Sequence, residues 1–87
     1  MSWVTNNGQQ SFKELNANDW VETNGNKVVF NFKLVEKTGD NVLILDSGRN
    51  LYVSMNSETA KWGNAKNSTN NIFLYGKWVL QYFNFFI

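Results

Sequence analysis

Few side chains in this 87-residue chain could carry chemistry: seven carboxylates, three tyrosines and eight lysine or arginine residues, with no His and no Cys. Without His the chain lacks the commonest general base near neutral pH. Without Cys it has no thiol nucleophile, no thiolate zinc ligand and no thiol redox couple. A Ser-His-Asp triad is therefore impossible within one chain. The carboxylates that remain are Glu14, Asp19, Glu22, Glu36, Asp40, Asp46 and Glu58. A glycosidase needs two such groups facing across a cleft. Glu36 with Asp40, or Asp40 with Asp46, are the pairs a hairpin could bring together, but a chain this short has little material for a deep cleft as well as a core. Asp40, Asn41, Asp46 and Asn50 offer oxygen ligands of the kind calcium takes, yet they are too few and fit no loop spacing. Asx-turns account for the same residues. The expectation is a non-enzyme, with no catalytic residues, no metal and no cofactor.

Binding is the remaining chemistry, and aromatics beside turns are its best candidates. Arg49, Trp62, Asn64, Tyr75 and Trp78 lie on or next to turn signals. An aromatic ring can cover the apolar face of a sugar while neighbouring amides meet its hydroxyls. A small core also needs its tryptophans, so Trp62 and Trp78 read first as core or barrel-plug residues and only second as ligand contacts. The expected ligand is a carbohydrate or a peptide. A second candidate surface is the stretch from Trp78 to Ile87, which is almost wholly apolar. As an exposed edge it would invite aggregation, so it is expected either to close the fold or to join the chain into a homo-oligomer.

Charge narrows the partners further. Eight basic and seven acidic residues leave a net charge of +1. Lys13, Lys27, Lys33, Lys37, Lys61, Lys66 and Lys77 are spread along the chain and form no basic stripe, so nucleic-acid binding is not expected. No stretch approaches the roughly 20 apolar residues of a membrane-spanning helix. Met1 to Asn7 has no basic region leading into an apolar one, so no signal peptide is expected and the cytoplasm is the default location. Asn67-Ser68-Thr69 is a glycosylation sequon of the kind that arises by chance in an Asn-rich chain.

The elements that must position these residues are strands. Turn signals at Asn7-Gly8, Asn24-Gly25, Thr38 to Asn41, Asp46 to Asn50, Gly63-Asn64 and Lys66 to Asn71 divide the chain into short apolar runs. Asn-Gly supplies the two positive-φ residues of a type I′ hairpin turn, so two such hairpins are predicted. Strands are predicted over Lys27 to Glu36, Asn41 to Asp46, Asn50 to Met55 and Asn71 to Phe83. In the first, a period of two puts Val28, Phe30, Phe32 and Leu34 on one buried face. Val42 to Leu45 is apolar on both sides, as in a central strand. Ser11 to Asp19 reads as a strand ending in a turn, because Asn16, Asn18 and Asp19 are poor helix formers.

A faint repeat relates Trp3-Val4-Thr5-Asn6-Asn7-Gly8 to Trp20-Val21-Glu22-Thr23-Asn24-Gly25, each followed by a strand with a Phe-Lys pair, Phe12-Lys13 and Phe32-Lys33. It reads as two similar hairpins. The chain is thus expected to be one all-β domain over residues 1–87, a small antiparallel barrel or two-layer sandwich of about seven to nine short strands. Its expected role is a non-enzymatic binding module, with a lectin-like, carbohydrate-binding form among the expectations and a self-assembling protein associating through the C-terminal strand as the alternative.

Overall fold

The computed structural model describes residues 1–80. Eight strands follow one another along the chain: β1 (Ser2–Thr5), β2 (Gln10–Glu14), β3 (Asp19–Asn24), β4 (Lys27–Thr38), β5 (Asn41–Asp46), β6 (Leu51–Met55), β7 (Thr59–Gly63) and β8 (Asn71–Val79). Each pairs antiparallel with the next, and β1 pairs with β8, so the sheet closes into an up-and-down barrel. Closure removes the two edges that an open sheet would expose. The fold is the barrel of the two expected architectures, not the sandwich.

Strands form where the sequence alternates, and the alternation sorts side chains to inside and outside. Trp3, Phe12, Trp20, Phe32, Val42, Ile44, Val53, Met55 and Ala60 fill the interior. The ring of Phe12 meets Trp3 at 6.3 Å and Phe32 edge-on at 5.8 Å between centroids. The lumen is therefore packed solid, as expected when an eight-stranded barrel is filled by large side chains. The repeat gains a structural meaning here. Trp3 of β1 and Trp20 of β3 are both fully buried and point inward, and Phe12 and Phe32 on the return strands pack beside them. Among the Val42 to Leu45 residues, Val42 and Ile44 are buried while Leu43 and Leu45 lie half-buried on the outer side. Ser11 to Asp19 is a strand and then a turn, in which the side-chain carbonyl of Asn16 accepts from the N–H groups of Asn18 and Asp19, each at 2.9 Å.

Three expectations need correction. The turns are hairpins, but not type I′. Asn24 pairs with Lys27, so Gly25 and Asn26 form the two-residue loop. Only Gly25 there has positive φ, at 63°, which is the type II′ pattern with Gly in the first central position. At the first hairpin the Gly8 N–H donates to the Thr5 carbonyl at 2.8 Å, and Gly8 alone takes positive φ. The pairing register, not the Asn-Gly dipeptide, decides which residues sit at the bend.

The second correction concerns β4. Its predicted buried face holds only for Phe32 and, in part, Leu34; Val28 is 54% and Phe30 39% exposed. The ladder shifts between Glu22 and Thr23, so that Val29 is an extra residue and Val28 falls on the opposite face from Phe30. A bulge of this kind reverses the alternation beyond it. The third concerns the last strand, predicted over Asn71 to Phe83. It ends at Val79, and residues 81–87 lie outside the described part of the chain.

Candidate functional site

In an up-and-down barrel alternate turns gather at alternate ends. One end collects the loops at 6–9, 25–26, 47–50 and 64–70; the other collects those at 15–18, 39–40 and 56–58. This rule separates the five candidate binding residues. Arg49, Asn64 and Trp62 come to the first end. Trp78 points inward near the second, where its indole N–H donates to the Asp40 carbonyl at 2.9 Å and its ring meets Trp20 edge-on at 6.2 Å. Tyr75 is exposed on the outer wall, in mid-strand opposite Thr59. Trp62 and Tyr75 lie within strands, not in turns, and the five residues do not share one surface.

The first end is built around Arg49. Asp46 closes the β5–β6 turn by accepting from the Gly48 N–H at 3.1 Å, and its second oxygen accepts from Arg49 Nε at 2.6 Å. Asn50 completes the bend in the left-handed region at φ 49°, a conformation Asn tolerates better than most residues. The turn thus aims Arg49 across the mouth. Its guanidinium carbon lies 3.4 Å from the centroid of the Phe30 ring, and Nη2 is 3.9 Å from the Glu22 carboxylate. Beside it, Asn50 and Asn64 exchange bonds: each side-chain amide donates to the other's backbone carbonyl, at 3.3 and 3.1 Å. Trp62 is half-buried against the core, and its carbonyl accepts from the Asn71 amide at 3.1 Å.

The two carboxylates under Arg49 are pushed in opposite directions. The hydrogen bond from Arg49 holds the Asp46 carboxyl below its ordinary range. Burial pushes Glu22 above it, outweighing the attraction of Arg49. For Asp46 the sign is that of a group ionised more readily when folded. Its stabilisation is present above the unfolded pKa and is lost as pH falls through the lowered folded value. Asp46→Asn should therefore cost about 1 kcal/mol at neutral pH, as for a well-aligned but partly solvated Arg–carboxylate pair. In urea unfolding the difference from the parent should close as acid protonates Asp46. Parallel curves down to the lowest pH would show that the pair contributes nothing. Glu22 has the reverse sign: ionising it costs stability as pH rises from the unfolded pKa to the raised folded one.

The feature that residue types did not reveal is a free stretch of backbone. β5 pairs with β4 only from Lys33 onward, and among the described strands residues 27–32 of β4 pair with β3 alone. The Leu34 N–H donates to the Asn18 carbonyl at 2.8 Å. Antiparallel ladders bond through every second residue, so Phe32 and Phe30 also bond towards β3, while the N–H and C=O of Asn31 face away from it. Lys33 uses the same outward direction to meet Leu45. Asn31 lies one rung beyond. A groove of about 470 Å³ runs alongside, lined by Leu15, Trp20, Asn31, Phe32, Leu45 and Ser47. The signal for this in the sequence is the unequal length of the strands: β4 has 12 residues and its partner β5 has 6.

Among the described residues no three His, Cys, Asp or Glu side chains are grouped to hold a metal ion, and no helix is long and apolar enough to cross a membrane. Compared with known protein families, curated proteins and solved structures, the chain finds no match.

Proposed function

We propose that this chain is a non-enzymatic interaction module that receives an extended peptide along the free side of β4 at residues 27–32. The observation that carries this reading is the Asn31 rung, whose backbone groups face away from β3 with no β5 partner opposite. A strand added there would satisfy those groups, and main-chain bonds of this kind give affinity irrespective of sequence. Selectivity would come from the side chains around the edge. Val28 stands exposed on the outer face and Phe30 on the inner one, so a bound strand with apolar residues on both of its faces would find a contact on each side. Arg49 covers the Phe30 ring and limits how far that inner contact extends.

The carbohydrate form of the reading has less support. Trp62 and Trp78 belong to opposite ends of the barrel, and the Asn64 side-chain amide already donates to Asn50. A sugar platform at the Arg49 end would have only Trp62 as its indole. Self-assembly through Trp78 to Ile87 draws on exposed Leu80 and on an inward-facing Trp78, while residues 81–87 lie outside the described part.

Peptide display against the folded protein provides the test. Selected peptides should carry neighbouring apolar residues, one for each face of the added strand, and binding should slow amide exchange at Asn31 and its neighbours. Val28→Lys should weaken such peptides roughly tenfold or more, since it places a charge where an apolar contact of ~1–2 kcal/mol is expected. Asn31→Pro removes the outward donor itself and should abolish binding while the far strands β6 and β7 keep their exchange protection. Peptides that instead protect the Trp62–Asn64 end, or sugars that bind there, would overturn this assignment.

A further inference from the structure

The seam that closes the barrel is shorter than β8. β1 and β8 pair from Ser2 opposite Val79 to Thr5 opposite Gly76, and one further bond runs from the Asn6 N–H to the Tyr75 carbonyl at 3.1 Å. There the chain bends away from β8 into the 6–9 turn, and among the described strands residues 71–74 of β8 pair with β7 alone. A notch of about 260 Å³ opens where the two part, lined by residues 5–7 and 73–75 and by Gln10. Two aromatic rings meet it. The β7–β8 ladder shifts between Ala60 and Lys61, which makes Phe73 an extra residue in β8, and a bulge of this kind re-aims its side chain. The Phe73 ring meets Phe12 edge-on at 6.4 Å between centroids, yet Phe73 stays 40% exposed. Tyr75 stands on the outer wall, 61% exposed. Amides supply the rest of the lining. The Asn7 side-chain oxygen accepts from Thr5 Oγ1 at 2.7 Å and from the Gln9 N–H at 3.0 Å. Those two bonds fix the amide, so its NH2 group is an oriented donor turned away from both. Among the described residues the side-chain amides of Asn6 and Gln10 have no hydrogen-bond partner.

We infer that this notch binds a single neutral sugar ring, the terminal hexose of a glycan. A pyranose presents a face of C–H groups and a rim of hydroxyls that both donate and accept. Exposed aromatic rings suit the face, and side-chain amides, which carry donors and acceptors together, suit the rim. No residue lining the notch is charged. A nucleotide phosphate or an acidic sugar would therefore gain none of the charge-assisted bonds that recognise such groups. The volume falls just under the ~300 Å³ at which sites for drug-sized ligands begin, which suits one ring and not a longer chain. The site is separate from the peptide edge of β4 and uses neither Trp62 nor Trp78. Of the residues expected to meet a sugar it keeps Tyr75 alone, and the 6–9 turn provides the amides that Asn64 does not.

Titrating the isotope-labelled full-length chain with methyl β-galactoside, methyl β-glucoside, methyl α-mannoside, lactose and sialyllactose tests this by NMR. At least one neutral sugar should shift the side-chain amide signals of Asn7 and Gln10 and the backbone signals of residues 73–76. Sialyllactose should bind no better than lactose. Tyr75→Ala should weaken the binding sugar roughly tenfold, the upper range for one aromatic contact. Asn7→Asp keeps the oxygen that holds Thr5 and Gln9 but replaces the NH2 donor, and should weaken binding about fivefold. In both variants slow amide exchange at Ile44 and Val53 should show that the barrel is intact. No shift with any of these sugars, or shifts confined to β4 or to Trp62 and Asn64, would overturn the notch. So would tighter binding of sialyllactose than of lactose, or full affinity in Tyr75→Ala.

Discussion

Replacing Trp3 with alanine should cost about 4 kcal/mol, the range for removing a large aromatic from a packed core, and take up a large share of the domain's stability. Trp3 is completely buried and packs against Phe12 at 6.3 Å between ring centroids. It also ties the barrel's wall to one of its turns, since its indole N–H donates to the Asn56 carbonyl at 2.7 Å. That carbonyl belongs to the β6–β7 connection, where the Asn56 side chain in turn accepts from the N–H groups of Glu58 and Thr59, each at 2.8 Å. Alanine would thus open a cavity and leave the Asn56 carbonyl without its donor in a single change. A domain of this size holds only about 5–15 kcal/mol in all. Trp3→Phe should keep part of the packing and lose the hydrogen bond, at about 2 kcal/mol. Urea unfolding followed by far-UV circular dichroism measures both. An alanine variant within 1 kcal/mol of the parent would mean that Trp3 is not a keystone of the core.

The second large effect should come from adding one methyl group. Gly76 sits in β8 opposite Thr5, in a place where a Cβ would collide with the Val4 carbonyl oxygen and lie 2.7 and 2.9 Å from two atoms of the Trp3 ring. The ring could shift; the backbone oxygen belongs to the β1 strand that closes the barrel and cannot move without breaking the seam. Gly76→Ala should therefore cost about 3 kcal/mol, at the upper end of overpacking penalties, and the damage should concentrate at β1–β8. Hydrogen exchange would show it as early loss of protection in Ser2 to Thr5 and Gly76 to Val79, with β5 and β6 still protected. The two substitutions should also couple. In the Trp3→Ala background half of the collision is gone, so Gly76→Ala should cost measurably less there than in the parent. Strict additivity would place the strain wholly on the Val4 carbonyl.

The free rung of β4 arises because the strands are unequal, so that closing the barrel leaves β4 longer than its partner β5. Arg49 deals with the consequence at the mouth, where the protruding β3–β4 hairpin would otherwise show the Phe30 ring entirely to solvent. A guanidinium laid on that ring keeps it half-covered while remaining hydrated at its other edge.

What the sequence determined by itself was the strands and what fills them. The period of two, the turn residues and the supply of aromatics are local properties, and they sufficed to place an all-β domain, the starts of β4, β5 and β8, and the paired Trp3 and Trp20 with Phe12 and Phe32. Missing His and Cys are equally plain without coordinates. The tertiary structure alone decided register, and with it everything that depends on which side a residue faces. Bulges at Val29 and Val35 each insert one residue and so reverse the alternation, which is why Val28 and Phe30 part company although they stand two apart. Turn type followed from register too, moving the first hairpin bend of β3–β4 from Asn24-Gly25 to Gly25-Asn26. The candidate site was scattered for the same reason: Arg49, Trp62 and Asn64 meet because their turns share an end of the barrel, and Trp78 is excluded from them by the direction of β8. Pairing between strands distant in sequence carries no local signature, and it is that pairing which fixes sides, ends and free edges.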